Sequence, residues 1–117
     1  MIGLPSSAEI FLYRAATDMR KSFDGLSGIV HNELGREPTD GSLFLFVNRR
    51  CDRIKLLYWD RDGLALWYKR LEAGTFERIE RGASGVAVQL DATELSMLLG
   101  GVSLDGARRR KRYRKTA

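Results

Sequence analysis

The chain has 117 residues, 44% of them hydrophobic, with 20 Lys and Arg against 15 Asp and Glu and a net charge of +5. That length bounds it to one domain, able to bury a core without disulfides or metals. No apolar run reaches the roughly 18 residues of a membrane-spanning helix, and a lone cysteine, Cys51, excludes an internal disulfide.

The opening Met-Ile-Gly-Leu-Pro-Ser-Ser has no basic stretch ahead of an apolar one, so no secretory signal is expected. With the unpaired cysteine, this points to the reducing cytoplasm. Residues 9 to 15 read as a first strand with an almost continuous apolar centre. Thr17 is the predicted N-cap of a helix, with Asp18 favourably placed in its first turn. Met19, Phe23, Leu26, Val30 and Leu34 follow at spacings of four, three, four and four, which is one face of an amphipathic helix. Gly25 and Gly28 each weaken that helix by about 1 kcal/mol relative to alanine and leave room for close approach to a sheet. Gly35 ends it, and Pro38 lies beyond the end.

Residues 42 to 47 are apolar on both faces, which predicts a central second strand. Arg53 to Trp59 and Leu64 to Leu71 are the third and fourth strands, joined through Asp60-Arg61-Asp62-Gly63. Two registers compete. A two-residue Asp62-Gly63 turn sets Lys55 against Arg70, which is repulsive. A four-residue loop sets Trp59 against Leu64, Leu57 against Leu66 and Leu56 against Trp67, and this match of apolar with apolar is the one expected. Thr75 to Ile79 is a candidate fifth strand, residues 80 to 85 a loop, and Val86 to Leu90 a sixth strand. Asp91-Ala92-Thr93-Glu94 has the form of a capping box. Leu95, Leu98 and Leu99 then give a short helix one apolar face, and Gly100-Gly101 stops it. The fold class is α+β: a mainly antiparallel sheet with one longer and one short helix packed against it.

Residues 108 to 115 hold seven basic side chains (Arg108, Arg109, Arg110, Lys111, Arg112, Arg114 and Lys115) and no acid. The first 107 residues hold 13 basic and 15 acidic side chains, a balance of −2. The positive charge therefore belongs to the tail. The expected division is one domain over residues 1–107 and a disordered basic tail over 108–117, since like charges this close repel. Such a segment is drawn to polyanions by counterion release, without reading sequence. It is equally suited to an acidic patch on a partner protein.

Catalytic constellations are missing. His31 is the only histidine and has no cysteine or carboxylate at zinc-ligand spacing. Cys51 sits beside Arg50 and Arg53, which favour a thiolate, but it has neither a histidine partner nor a resolving cysteine. The hairpin turn accounts for Asp60 and Asp62, and no phosphate loop is present. No catalytic residue, metal, cofactor or small-molecule substrate is expected.

A binding surface remains. Arg49, Arg50 and Arg53 cluster at one hairpin end, and Lys55, Lys69 and Arg70 follow along the strands between Tyr58, Trp59, Trp67 and Tyr68. Cations meet phosphates and rings stack on bases, so this pattern suits nucleic acid. Strand aromatics also serve plain cross-strand packing. Tyr58, Trp67 and Tyr68 are the candidates for contact with a protein partner.

Three ordered blocks carry a resemblance: residues 17–26 (Thr-Asp-Met-Arg-Lys-Ser-Phe-Asp-Gly-Leu), 52–63 (Asp-Arg-Ile-Lys-Leu-Leu-Tyr-Trp-Asp-Arg-Asp-Gly) and 66–76 (Leu-Trp-Tyr-Lys-Arg-Leu-Glu-Ala-Gly-Thr-Phe). Together with the later helix, Glu94 to Gly101, they resemble the accessory-protein family TnpB (Orf2-like) of insertion-sequence family sixty-six, from about residue 3 to 104. The chain departs from it after Phe76, where Glu77-Arg78-Ile79 replaces a Trp-Pro-like continuation. The resemblance implies an accessory to DNA transposition, encoded beside a separate transposase that performs the strand chemistry, and it implies no catalytic residues. The expected partners are that transposase and DNA, the latter through the basic tail. The alternative is a scaffold that holds the transposase and never touches DNA.

Overall fold

A computed structural model describes residues 7–79, 85–104 and 110–115. Seven elements follow in chain order: β1 (Ile10–Tyr13), α1 (Phe23–Asn32), β2 (Leu43–Val47), β3 (Arg53–Asp60), β4 (Gly63–Arg70), β5 (Ala87–Leu90) and α2 (Ala92–Gly100). The five strands form one sheet in the order β4-β3-β2-β1-β5. All neighbours run antiparallel except β1 and β2, which are parallel because α1 carries the chain back between them. The α+β architecture expected from the sequence is therefore present.

Alternation along the strands sorts the apolar side chains onto two faces. Phe44 and Phe46 of β2 and Leu57 of β3 face α1, where Leu26 and Val30 close over them. The opposite face presents Ile10, Leu12, Leu43, Leu45, Ile54 and Leu56 to Leu95 and Leu98 of α2 and to Leu71, Phe76 and Ile79 of the segment after β4. Strand β2 is buried on both sides, which matches its central place. Each fully buried Phe or Leu contributes about 1.5–3 kcal/mol, so this strand anchors both cores.

The β3–β4 register is the one that pairs apolar with apolar: Trp59 with Leu64, Leu57 with Leu66 and Leu56 with Trp67. The pairing continues to Asp60 and Gly63, leaving Arg61 and Asp62 at the tip with Arg61 at φ 58°. Helix α2 begins as predicted. The Asp91 side chain accepts the Glu94 N–H at 2.8 Å, and Glu94 accepts the Asp91 N–H at 3.0 Å. Gly101 ends it at φ 83°.

Three expectations fail. The first helix does not start at Thr17; its N-cap is Ser22. Thr17 is buried and donates its N–H to the Val47 carbonyl, and Asp18 accepts the N–H of Arg20, so residues 17–22 form a loop. The cause is distant in sequence. The Lys55 ammonium donates to the carbonyls of Met19 at 2.8 Å and Lys21 at 2.7 Å, which holds this stretch out of a helix. Residues 75–79 are also no strand. The Phe76 N–H bonds the Cys51 carbonyl, and the Thr75 carbonyl is taken by arginine side chains of the tail, so no ladder forms. Gly25 and Gly28 serve no close approach to the sheet: a Cβ on Gly25 would meet the Lys21 side chain, and one on Gly28 would meet only Asn32.

Candidate nucleic-acid interface

The turn between β2 and β3 is closed by Asn48. Asn48 Oδ1 accepts the N–H groups of Asp52 and Arg53 at 3.1 and 3.0 Å, and its amide donates to the Asp52 carboxylate at 2.7 Å. Cys51 takes up φ 60°, uncommon for a side chain with a Cβ, and its N–H closes the turn onto the Asn48 carbonyl. Arg78 braces it from outside, donating to the Arg49 carbonyl and to Cys51 Sγ. The Asn48 hydrogen bond, and then the charges of Arg50 and Arg53, hold the Asp52 carboxyl below its ordinary range.

Arg49, Arg50 and Arg53 converge on an open cleft of about 480 Å³, whose other wall is Ala16, Thr17, Asp18 and Met19. Arg49 and Arg50 are exposed, and among the described residues no carboxylate forms an ion pair with any of the three. The one acid on the wall, Asp18, is engaged by Arg20 at 2.6 Å. Its hydrogen bonds from Arg20 lower its pKa to about 2, so it stays ionised and paired. The cleft is thus positive overall. Arg53 also stands directly opposite Arg70 in the β3–β4 ladder, a like-charge pair that costs stability. Arg70 relieves this by pairing with Glu72, and Arg53 turns to the Tyr68 hydroxyl at 3.4 Å.

The remaining sequence candidates are scattered. Lys55 is only 5% exposed, with its ammonium on two carbonyls and 4.6 Å from the Tyr68 ring centroid, so it is a structural cation and not a phosphate ligand. Lys69 is exposed but points to the α2 side, next to Tyr68 on the α1 side. Tyr58 and Trp67 pack partly buried against the α2-side core, and burial, with Asp60 second, raises the Tyr58 pKa. Tyr68 is 47% exposed on the opposite face, so the three aromatics expected to meet a partner do not form one patch. Sequence inspection missed the loop that completes the cleft, since it assigned Thr17 to Met19 to a helix. It also missed Arg78, whose bracing role has no local signature.

The tail departs from a free strand of cations where it is described. Arg110 donates to the Thr75 carbonyl at 3.1 Å and hydroxyl at 2.8 Å. Arg112 donates to the Thr75 and Leu98 carbonyls, with its guanidinium 5.2 Å from the centre of Phe76. Lys111, Arg114 and Lys115 face solvent, and Arg108 and Arg109 lie outside the described residues.

Against known proteins, residues 8–109 match the family model described as IS66 Orf2 like protein. The chain belongs to the IS66 Orf2-like family. It is an accessory protein associated with transposition, and its family is not one of known catalysts. Two Sinorhizobium fredii proteins are similar: y4jC, 32% identical over 99% of this chain and 97% of its own length, and y4hO, 36% identical over 85% and 86%. Both are described as uncharacterized. No solved structure matches. Among the described residues, no helix of this IS66 Orf2-like chain is long and apolar enough to cross a membrane, and no three His, Cys, Asp or Glu side chains gather as metal ligands.

Proposed function

We propose that this IS66 Orf2-like protein is a non-catalytic accessory that holds element DNA by its phosphate backbone for a separate transposase. The observation that carries this reading is the cleft of Arg49, Arg50 and Arg53, on a turn closed by Asn48, where among the described residues none of the three forms an ion pair. Guanidinium groups suit phosphate oxygens because they donate in a planar fork. The exposed tail cations add attraction without sequence reading.

A salt titration of duplex binding tests the proposal. The double variant Arg49→Ala, Arg50→Ala is expected to weaken binding to element-end and random duplexes alike and to reduce the salt slope by about two. Unchanged affinity and slope would remove the cleft from the interface. The second reading, a scaffold that grips the transposase alone, draws support from the open edge of β4 and from Trp59 and Tyr68 exposed beside it. Capture of the transposase that survives nuclease treatment, together with no gel shift on any DNA, would establish it in place of the first.

A further inference from the structure

The docked tail raises a second question, because it costs the chain a charge in a crowded place. Arg112 Nε is buried without a hydrogen-bond partner, and among the described residues neither Arg110 nor Arg112 has a carboxylate in ion-pair range. Carbonyls of Thr75 and Leu98 partly compensate, and the C-terminal end of α2 is a favourable place for a cation. Burial, with Arg110 second, lowers the Arg112 pKa, as expected of a cation short of counter-charge.

What the docking achieves is position. Gly74, at φ 79°, lies so close to the tail that a Cβ there would collide with the Lys111 carbonyl, and the Arg110 N–H bonds the Gly101 carbonyl. The segment is therefore seated between two glycines. It helps to wall a second open cleft, of about 370 Å³, lined by Arg112 and Tyr113 together with Lys69, Arg70, Leu71 and Leu99. Glu72 is the one acid on that cleft, and it pairs with Arg70. Tyr113 is 63% exposed and lines that cleft with the cations.

We propose that this cleft seats a single DNA strand, with Lys69 and Arg70 meeting phosphates, Arg112 anchoring the segment through its carbonyl contacts, and Tyr113 stacking on an unpaired base. This rests on the DNA-binding reading above and deepens it. A duplex offers the same phosphates but keeps its bases stacked, so only a single strand uses the ring. Anchoring matters because a ring on a mobile tail would lose much of the stacking energy to ordering.

The test measures fluorescence anisotropy of labelled oligothymidylate and of a random duplex with the full chain. Tyr113→Ala is expected to weaken oligothymidylate binding roughly tenfold while changing duplex binding less than about twofold, and Tyr113→Phe to match wild type. Gly74→Ala changes no charge, and it is expected to reproduce the single-strand loss by lifting the segment. Circular dichroism checks that each variant is folded. Single-strand binding indifferent to Tyr113→Ala, or an equal loss on the duplex, overturns the seat while leaving the Arg49 and Arg50 cleft standing. Wild-type protein that binds neither DNA overturns both.

Discussion

Lys55 gives the sharpest test of how this surface is built. Replacing it by methionine keeps most of the aliphatic stem and removes the ammonium. The carbonyls of Met19 and Lys21 then lose donors at 2.8 and 2.7 Å. An unsatisfied buried carbonyl costs about 1–3 kcal/mol, and the lost contact with the Tyr68 ring adds about 0.5–1 kcal/mol. Water reaches a partly exposed loop, and relief of the desolvated charge offsets some of the loss. The net expectation is a destabilisation of about 2 kcal/mol, or a fall in Tm of about 8 °C for a domain of this size. Urea unfolding with an unchanged m-value would measure it. Hydrogen exchange should accelerate at the amides of residues 17–22, while duplex affinity and its salt slope stay near wild type. Stability within about 0.5 kcal/mol of wild type, combined with a shallower salt slope, would refute the reasoning and return Lys55 to the phosphate ligands.

Two further predictions concern single contacts. Asp91→Ala removes the side-chain half of the capping box at α2 and is expected to cost about 1 kcal/mol by the same unfolding assay, with Asp91→Asn costing less. The Asp18 carboxyl should titrate with a midpoint of about 2 by NMR, and Arg20→Ala should return it toward 3.8. Because the folded pKa lies below the unfolded one, the favourable contribution is complete above pH about 4 and is lost as pH falls through the folded midpoint.

Much of the sheet was legible because its information is local. The β3–β4 register follows from apolar residues that must face each other within one hairpin, and the α2 start follows from two side chains three residues apart. The features that escaped depend on contacts across the chain. Thr17 to Ser22 carries a good helix signal, which an ammonium 34 and 36 residues away and the Val47 carbonyl override. Thr75 to Ile79 has strand composition, but tail arginines 35 and 37 residues on take the Thr75 carbonyl that a ladder would need. The basic positions were countable in the sequence. For the hairpin cations, separating Lys55, engaged by backbone, from the three that converge on a cleft required knowing which face of β3 meets the 17–22 loop.

The pairing of β1 with β5 has a consequence for how the chain is made. Ile10 sits opposite Leu90, so β1 waits for β5, made about 80 residues later, before its outer side is covered. The β2-β3-β4 meander can close early from neighbouring segments, whereas this seam must bridge most of the polypeptide. Until synthesis passes residue 90, an exposed strand edge flanked by Ile10 and Leu12 invites pairing with other nascent chains. Premature termination before that point would yield a sticky fragment, not a smaller working protein.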